Sequence, residues 1–260
     1  MQPQEVGAGE ILANLSVAHI VLAALVLTVL RLALQPVKAP FAKSVAELIE
    51  SLLVAGVLVF LIIRPFFMQA FYIPSESMEP TLMGHDAGYN HITGDSPPTS
   101  IHDKLFVNKL AYRIGKPARE EIIVFRAPKV ADMMAEPEHR EPVENVLIKR
   151  LIGVPGDTIE VKPDDKGVTR VFRNGKALDE PVCNDKDSNE PCIREPMEPT
   201  PSASFAVNGP LKLGPDELFV MGDNRNHSND SRFWGPLKRD RVIGKAAFIF
   251  WPLNRIRILR

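Results

Sequence analysis

Val146-Leu147-Ile148-Lys149-Arg150-Leu151-Ile152-Gly153 is the stretch on which the fold turns. Aliphatic and β-branched residues crowd into it and a glycine closes it, which reads as a β-strand. Strand alternation puts Lys149 on one face with Leu147 and Leu151, and Arg150 on the other with Ile148 and Ile152. Both faces are apolar, so both cations interrupt a buried pattern. Runs of the same kind recur on either side: Leu105 to Val107, Glu121 to Phe125, Thr158 to Val161, Val168 to Phe172, Glu217 to Met221 and Val242 to Phe250. Gly, Pro, Asn and Asp punctuate them, and no long 3.6-residue period or internal repeat follows residue 75. The expectation is a mostly β domain of antiparallel sheets or a partly open barrel.

Composition agrees. Of 260 residues, 45% are apolar and 24% charged, with a net charge of −1, which excludes a disordered, collagen-like or strongly basic nucleic-acid-binding chain. Prolines outnumber glycines 23 to 16, which suits loops and edge strands better than helical bundles. Two cysteines exclude a disulfide-dense scaffold and a four-cysteine zinc site.

The N-terminal part is a different material. Between Glu10 and Arg31 lie twenty residues without Asp, Glu, Lys or Arg. As a helix they would span about 30 Å, the hydrocarbon thickness of a bilayer. A buried helix of a soluble protein is the alternative. A cleaved signal peptide fits less well, because Glu5 and Glu10 stand where a basic region would be and no small-residue cleavage site follows. Ser51 to Ile63 forms a second apolar run, extended backward through Val45, Ala46, Leu48 and Ile49. The expected organisation is a tail, first transmembrane helix and loop over residues 1–44, a second transmembrane helix over 45–64, and a β-rich domain over 65–260. An extended apolar segment, Pro65 to Tyr72, would follow the second helix at the interface. Insertion loops are expected at 127–145 and 174–203. The connecting loop carries Arg31, Lys38 and Lys43, so it should face the cytoplasm, with the N-terminus and everything after residue 65 outside. An oxidising exterior would let Cys183 and Cys192 form a disulfide, the alternative being two free thiols.

Candidate chemistry lies just past the second apolar run. Pro74-Ser75-Glu76-Ser77-Met78-Glu79-Pro80-Thr81-Leu82 holds two serines between prolines. It is either a Ser/Pro turn or a presented hydroxyl, and a serine nucleophile needs a base. His85, His91 and His102 fall in a Gly/Pro/Ser/Asp-rich, solvated stretch, His19 in the first apolar run, His139 in a charged loop and His227 among polar residues. No local pattern favours any of them. Lys149 is the other option: arginine stays protonated, whereas a desolvated lysine can lose its proton. A snorkelling lysine at a strand edge is the bland alternative. The last cluster, Met221 to Gly235 (MGDNRNHSNDSRFWG), is by itself an acidic metal loop or an ordered turn rich in Asx hydrogen bonds.

Taken together and in order, PSESMEPTL, KRLIGVPGD and GDNRNHSNDSRFWG resemble the boxes of type I signal peptidases, over about residues 44–251. The resemblance implies Ser77 as nucleophile and Lys149 as general base. It implies an oxyanion hole from the Ser75 hydroxyl and the Ser77 N–H, with Ser228 orienting the lysine. Asp230 and Arg232 would form a supporting ion pair, and Gly222 and Asp223 open the loop with Asn224 and Arg225. The usual Asp-Asn after that arginine is Asn226-His227 here, which leaves those two positions without an implied role.

The resemblance further implies a membrane-bound serine endopeptidase that removes signal peptides from exported preproteins after Ala-x-Ala-like sites. Its partners would be preproteins, the lipid bilayer and the export translocon. Nucleic acid, metal and organic cofactor would play no part. It would sit in the inner or plasma membrane with its catalytic domain on the periplasmic side. Self-cleaving repressors share a Ser–Lys dyad but lack membrane spans. Penicillin-binding enzymes place lysine three residues after the serine, where this chain has Pro80. Microsomal homologues use histidine in place of Lys149. An inactive membrane-anchored interaction protein with the same fold is the alternative from another class, and intact Ser75, Ser77, Lys149 and Ser228 argue against it.

Overall fold

A computed structural model describes residues 17–37, 39–63, 66–88, 96–129, 146–182, 192–193, 195–198 and 209–259. The chain divides into two compact units, Met1–Ala70 and Phe71–Arg260.

The first unit is helical. Helix α1 spans Val17–Leu34 and α2 spans Pro40–Val57, continued by a π-helical turn over Leu58–Ile63. Proline suits the first turn of α2, where its missing N–H would have no intrahelical partner. The helix thus begins earlier than the apolar run suggested, and Lys43 lies within it. Arg31 is also helical rather than in the connecting loop, and Arg31 Nη2 is 2.7 Å from Glu50 Oε2. Val21, Leu22, Leu25, Val29, Leu48 and Leu52 all point their apolar side chains outward. Among the described residues no helix is long and apolar enough to cross a membrane. The 18 described residues of α1 run about 27 Å.

The second unit is mostly β. Its sequence-predicted strands are β4 (Lys104–Asn108), β5 (Ile122–Arg126), β6 (Val146–Gly153), β7 (Thr158–Pro163), β8 (Thr169–Arg173), β11 (Glu217–Met221) and β13 (Val242–Trp251). Each of the seven lies within a residue or two of its expected bounds. Short strands complete the set: β2 (Gly84–His85), β3 (Ile101–His102), β9 (Lys176–Ala177), β10 (Leu211–Lys212), β12 (Leu237–Lys238) and β14 (Arg257–Ile258). Met68–Tyr72, expected only to be extended, is a strand, β1. An eight-stranded sheet runs in the order β1-β4-β13-β5-β6-β11-β12, with β14 on β13, and a four-stranded sheet runs β10-β7-β8-β9. Among the described residues two further α-helices, α3 (Ala111–Ile114) and α4 (Ser231–Trp234), are single turns.

Strand β6 is an interior strand of the large sheet, antiparallel to β5 on one side and β11 on the other. Leu151 and, across the register from Lys149, Ile123 belong to a buried cluster with Phe125, Val220 and Trp234. Leu147 packs against the same cluster. Lys149 therefore emerges from an apolar face. Met78 and Leu82 pack into a second cluster with Leu105, Val107 and Val124, which ties the 75–83 segment to the sheet. A third cluster joins the small sheet to Phe219 and Met221. It also takes in Met197, so the stretch expected as a surface loop at 174–203 is partly core: its hydrophobic residues Ile193 and Met197 are buried. Residues 130–145, most of the other insertion, lie outside the described residues.

Candidate active site

Ser77 occupies a single 3-10 turn, Glu76–Met78, that follows Ser75 in extended conformation. The Ser77 N–H is in the first turn, where helical geometry supplies no acceptor. Its Oγ is 2.6 Å from Lys149 Nζ, within the range for direct proton transfer. Both residues are buried, Lys149 to 4% exposure. Burial is the largest influence on the amine and lowers its pKa to about 8. Asp230 and Asp223 pull the value upward by their charge, Arg232 pushes it down, and the desolvation wins. Lys149 has no ion-pair partner among the described residues. An amine with this pKa supplies a substantial neutral fraction near pH 8, and that fraction can accept the Ser77 proton.

Ser75 Oγ is 3.5 Å from Ser77 Oγ, so the two hydroxyls stand side by side. The loop from Gly222 onward closes the other side. Asn224 N donates to Ser77 O at 3.2 Å, and Asn224 Nδ2 donates to Glu76 O at 3.3 Å. A Cβ on Gly222 would lie 2.3 Å from Ser77 O and 2.4 Å from Ser228 Oγ. Only glycine lets the two backbones approach this closely. Ser228 Oγ is buried at this crossing, where it helps hold the Asp230 carboxyl low, and the expected hydrogen bond to the Lys149 amine is not made. The amine's short contact goes to Ser77 instead.

Behind the dyad stand three buried guanidiniums, each gripping a carboxylate with two nitrogens. Arg150 holds Asp223 at 2.7 and 2.6 Å, and Arg232 holds Asp230 at 2.8 and 2.9 Å. Arg225 holds Glu180 at 2.8 and 2.6 Å. Asp230 also accepts from Gly222 N at 3.1 Å and caps α4 through Arg232 N at 3.2 Å. Burial pushes the Asp230 carboxyl upward, but the Arg232 charge and hydrogen bonds more than reverse this and hold it below the usual range.

The structure thus brings Ser75, Ser77, Lys149, Gly222, Asp223, Ser228, Asp230 and Arg232 into one contiguous assembly. Cys192 is disulfide-bonded, while Cys183 lies outside the described residues. His85 and His102 are not solvated as expected. His85 Nδ1 is 2.6 Å from Glu79 Oε1, and His102 bridges Ile73 O at 2.9 Å and Asp86 at 3.0 Å. His227 faces Glu195 at 4.0 Å. His91 and His139 lie outside the described residues. Glu180 and the steric role of Gly222 escaped the sequence reading. A lone glutamate in a polar insertion carries no signal of the arginine it will meet.

The family model described as "Signal peptidase, peptidase S26" matches residues 45–251. The chain is 35% identical over 207 residues to "Probable signal peptidase I-2" of Synechocystis sp., covering 80% of this chain and 74% of that protein. It is 36% identical over 216 residues to "Signal peptidase I" of Leptolyngbya laminosa, covering 82% and 85%. A solved signal peptidase I from Enterococcus faecalis has a TM-score of 0.33 at 26% identity, covering 51% of this chain and 97% of that one. The chain belongs to the signal peptidase family, peptidase S26. It is accordingly a hydrolase, a serine endopeptidase of the signal peptidase I type, and its substrates are preproteins that carry signal peptides.

Proposed function

We propose that Ser77 is the nucleophile and Lys149 the general base of a membrane-anchored signal peptidase that cuts after Ala-x-Ala-like sites. The observation that carries this reading is the buried 2.6 Å contact between Lys149 Nζ and Ser77 Oγ. Neutral Lys149 takes the hydroxyl proton as Ser77 Oγ bonds to the scissile carbonyl carbon. The developing oxyanion receives hydrogen bonds from Ser75 Oγ–H and the Ser77 N–H, donors worth about 3–4 kcal/mol each in such settings. Lysinium then protonates the leaving amine as the C–N bond breaks, and the mature chain departs. Water, deprotonated by Lys149, cleaves the acyl-enzyme ester and frees the signal peptide.

The preprotein binds extended, by strand addition beside the Ser77 segment. Two membrane-spanning helices, within 1–44 and 45–64, anchor the chain in an inner or plasma membrane. Residues 65–260 face the periplasm, in contact with lipid and the export translocon. The outward apolar side chains of both helices support the anchor. A Cys183–Cys192 disulfide, supported by the bonded state of Cys192, suits that compartment.

The test is processing of a purified preprotein in detergent. Ser77→Ala and Lys149→Ala should each lower kcat about 10⁴-fold or more with the fold intact. Full processing by Ser77→Ala would remove the nucleophile assignment. A reporter fused after residue 260 should be active only outside the cytoplasm; activity inside would overturn the orientation.

A further inference from the structure

The ion pairs behind the dyad differ in origin. Asp223 and Asp230 both belong to the loop from Gly222 onward, Asp230 pairing within it and Asp223 with Arg150 of β6. The carboxylate on Arg225 does not: Glu180 reaches it from the 174–203 insertion, 45 positions away in sequence. Arg225 is 2% exposed, and its Nε donates to Gly222 O at 2.9 Å. Gly222 is the residue pressed against Ser77 O and Ser228 Oγ. A chain of contacts therefore runs from Glu180 through Arg225 to Gly222 and then to the backbone of Ser77.

The insertion grips the same loop at further points. Asn226 Nδ2 donates to Pro196 O at 3.2 Å, and Glu198 N donates to Asn226 Oδ1 at 2.9 Å. Arg232 Nη1 lies 3.6 Å from Met197 Sδ, and Met197 is buried in the third core cluster. Cys192, disulfide-bonded and buried, lies between the two grips. Positions 226 and 227 carry no acidic side chain, so the loop itself offers Arg225 no carboxylate there.

We infer that Glu180 and the 196–198 segment clamp the catalytic loop and that Glu180 is a positioning residue for the peptidase reaction. This inference rests on the dyad reading. Without Glu180, the buried Arg225 guanidinium has Asp223 and Asp230 as its remaining anionic neighbours. It would then compete with Arg150 and Arg232 for those carboxylates. Asp223 and Asp230 are also the two charges that hold the Lys149 amine upward, against Arg232. Drawing them toward Arg225 weakens that support, so the pKa of Lys149 should fall while Gly222 and Ser77 lose their register.

The experiment compares full-length wild type, Glu180→Gln and Glu180→Asp in detergent, with Lys238→Gln on an exposed pair as control. For Glu180→Gln the expected result is a kcat lowered at least tenfold with KM within twofold. The acid limb of kcat/KM should move to lower pH, and amide exchange over 222–228 should speed up. Glu180→Asp should recover part of the loss and Lys238→Gln should match wild type. Wild-type kcat, pH limb and exchange in Glu180→Gln would overturn the inference. Should that variant not fold, unchanged values in Glu180→Asp overturn it equally. If wild-type cleavage proves independent of Ser77, the dyad reading fails, and exchange over 222–228 still decides whether the clamp exists.

Discussion

Lys149 and Arg150 are neighbours on one strand, equally buried, and they lead into two regions built on opposite terms. Arg150 belongs to the region behind the dyad, where each buried guanidinium meets a carboxylate in two-pronged contact. Lys149 belongs to the dyad, where a buried amine meets only a hydroxyl. Paired charges at depth are held in their ionised forms, and taking away one partner strands the other. The unpaired amine is pushed toward its neutral form, which stability does not favour but base chemistry requires. The paired region supplies geometry, and on the proposed dyad the unpaired one supplies reactivity.

Three measurements can break or sharpen this contrast. The largest effect is expected for Asp230→Asn, which leaves Arg232 buried without its anion and frees Gly222 N. It should destabilise the folded protein by about 3–5 kcal/mol in denaturant unfolding. Wild-type stability would remove the distinction between the two regions.

Lys149→Met should act in the opposite direction. Lowering a lysine from 10.5 to about 8 means that, below pH 8, the folded state carries a proton at a cost of about 3 kcal/mol. The unfolded chain binds more protons between the two values, so wild-type stability rises with pH across that window. Lys149→Met escapes this dependence. Set against the lost hydrogen bond, it should be more stable than wild type by about 2 kcal/mol at pH 6.5, with the gain fading toward pH 10. A destabilised variant at pH 6.5 would show that the amine is effectively paired.

The smallest effect is the rate profile. With the neutral amine as the proposed base, kcat/KM should rise about tenfold per pH unit below 8 and level off above it. A profile flat from pH 6 to 9 would separate Lys149 from proton transfer.

The sequence was most legible where local pattern and tertiary role coincide. Strand β6 was readable because aliphatic residues flank Lys149 and Arg150 whether or not the chain is folded. The serine segment, the strand and the acidic loop were visible as boxes, and the structure draws all three together. What escaped was decided by distant partners. Met68–Tyr72 lies between Pro65 and Pro74, but its apolar character continues that of the preceding helix, so nothing local marks it as a strand. His85 and His102 sit in a stretch whose composition spoke for solvent, and only folding brings Glu79, Asp86 and Ile73 O to them. Glu180 and Met197 looked like loop residues because nothing nearby in sequence records Arg225 or the third core cluster.

The closeness of Gly222 to Ser77 O also bears on when the enzyme becomes dangerous. The alcohol, the amine and the glycine arrive in that order, separated by 72 and then 73 positions. A nascent chain that has emerged only through the amine carries both reactive groups but not the loop that holds them in line. Long-range contacts of this kind form late in folding. On the proposed dyad, proteolytic competence is therefore withheld until the chain has been made past Gly222, a built-in safeguard against cutting neighbouring chains during the enzyme's own birth.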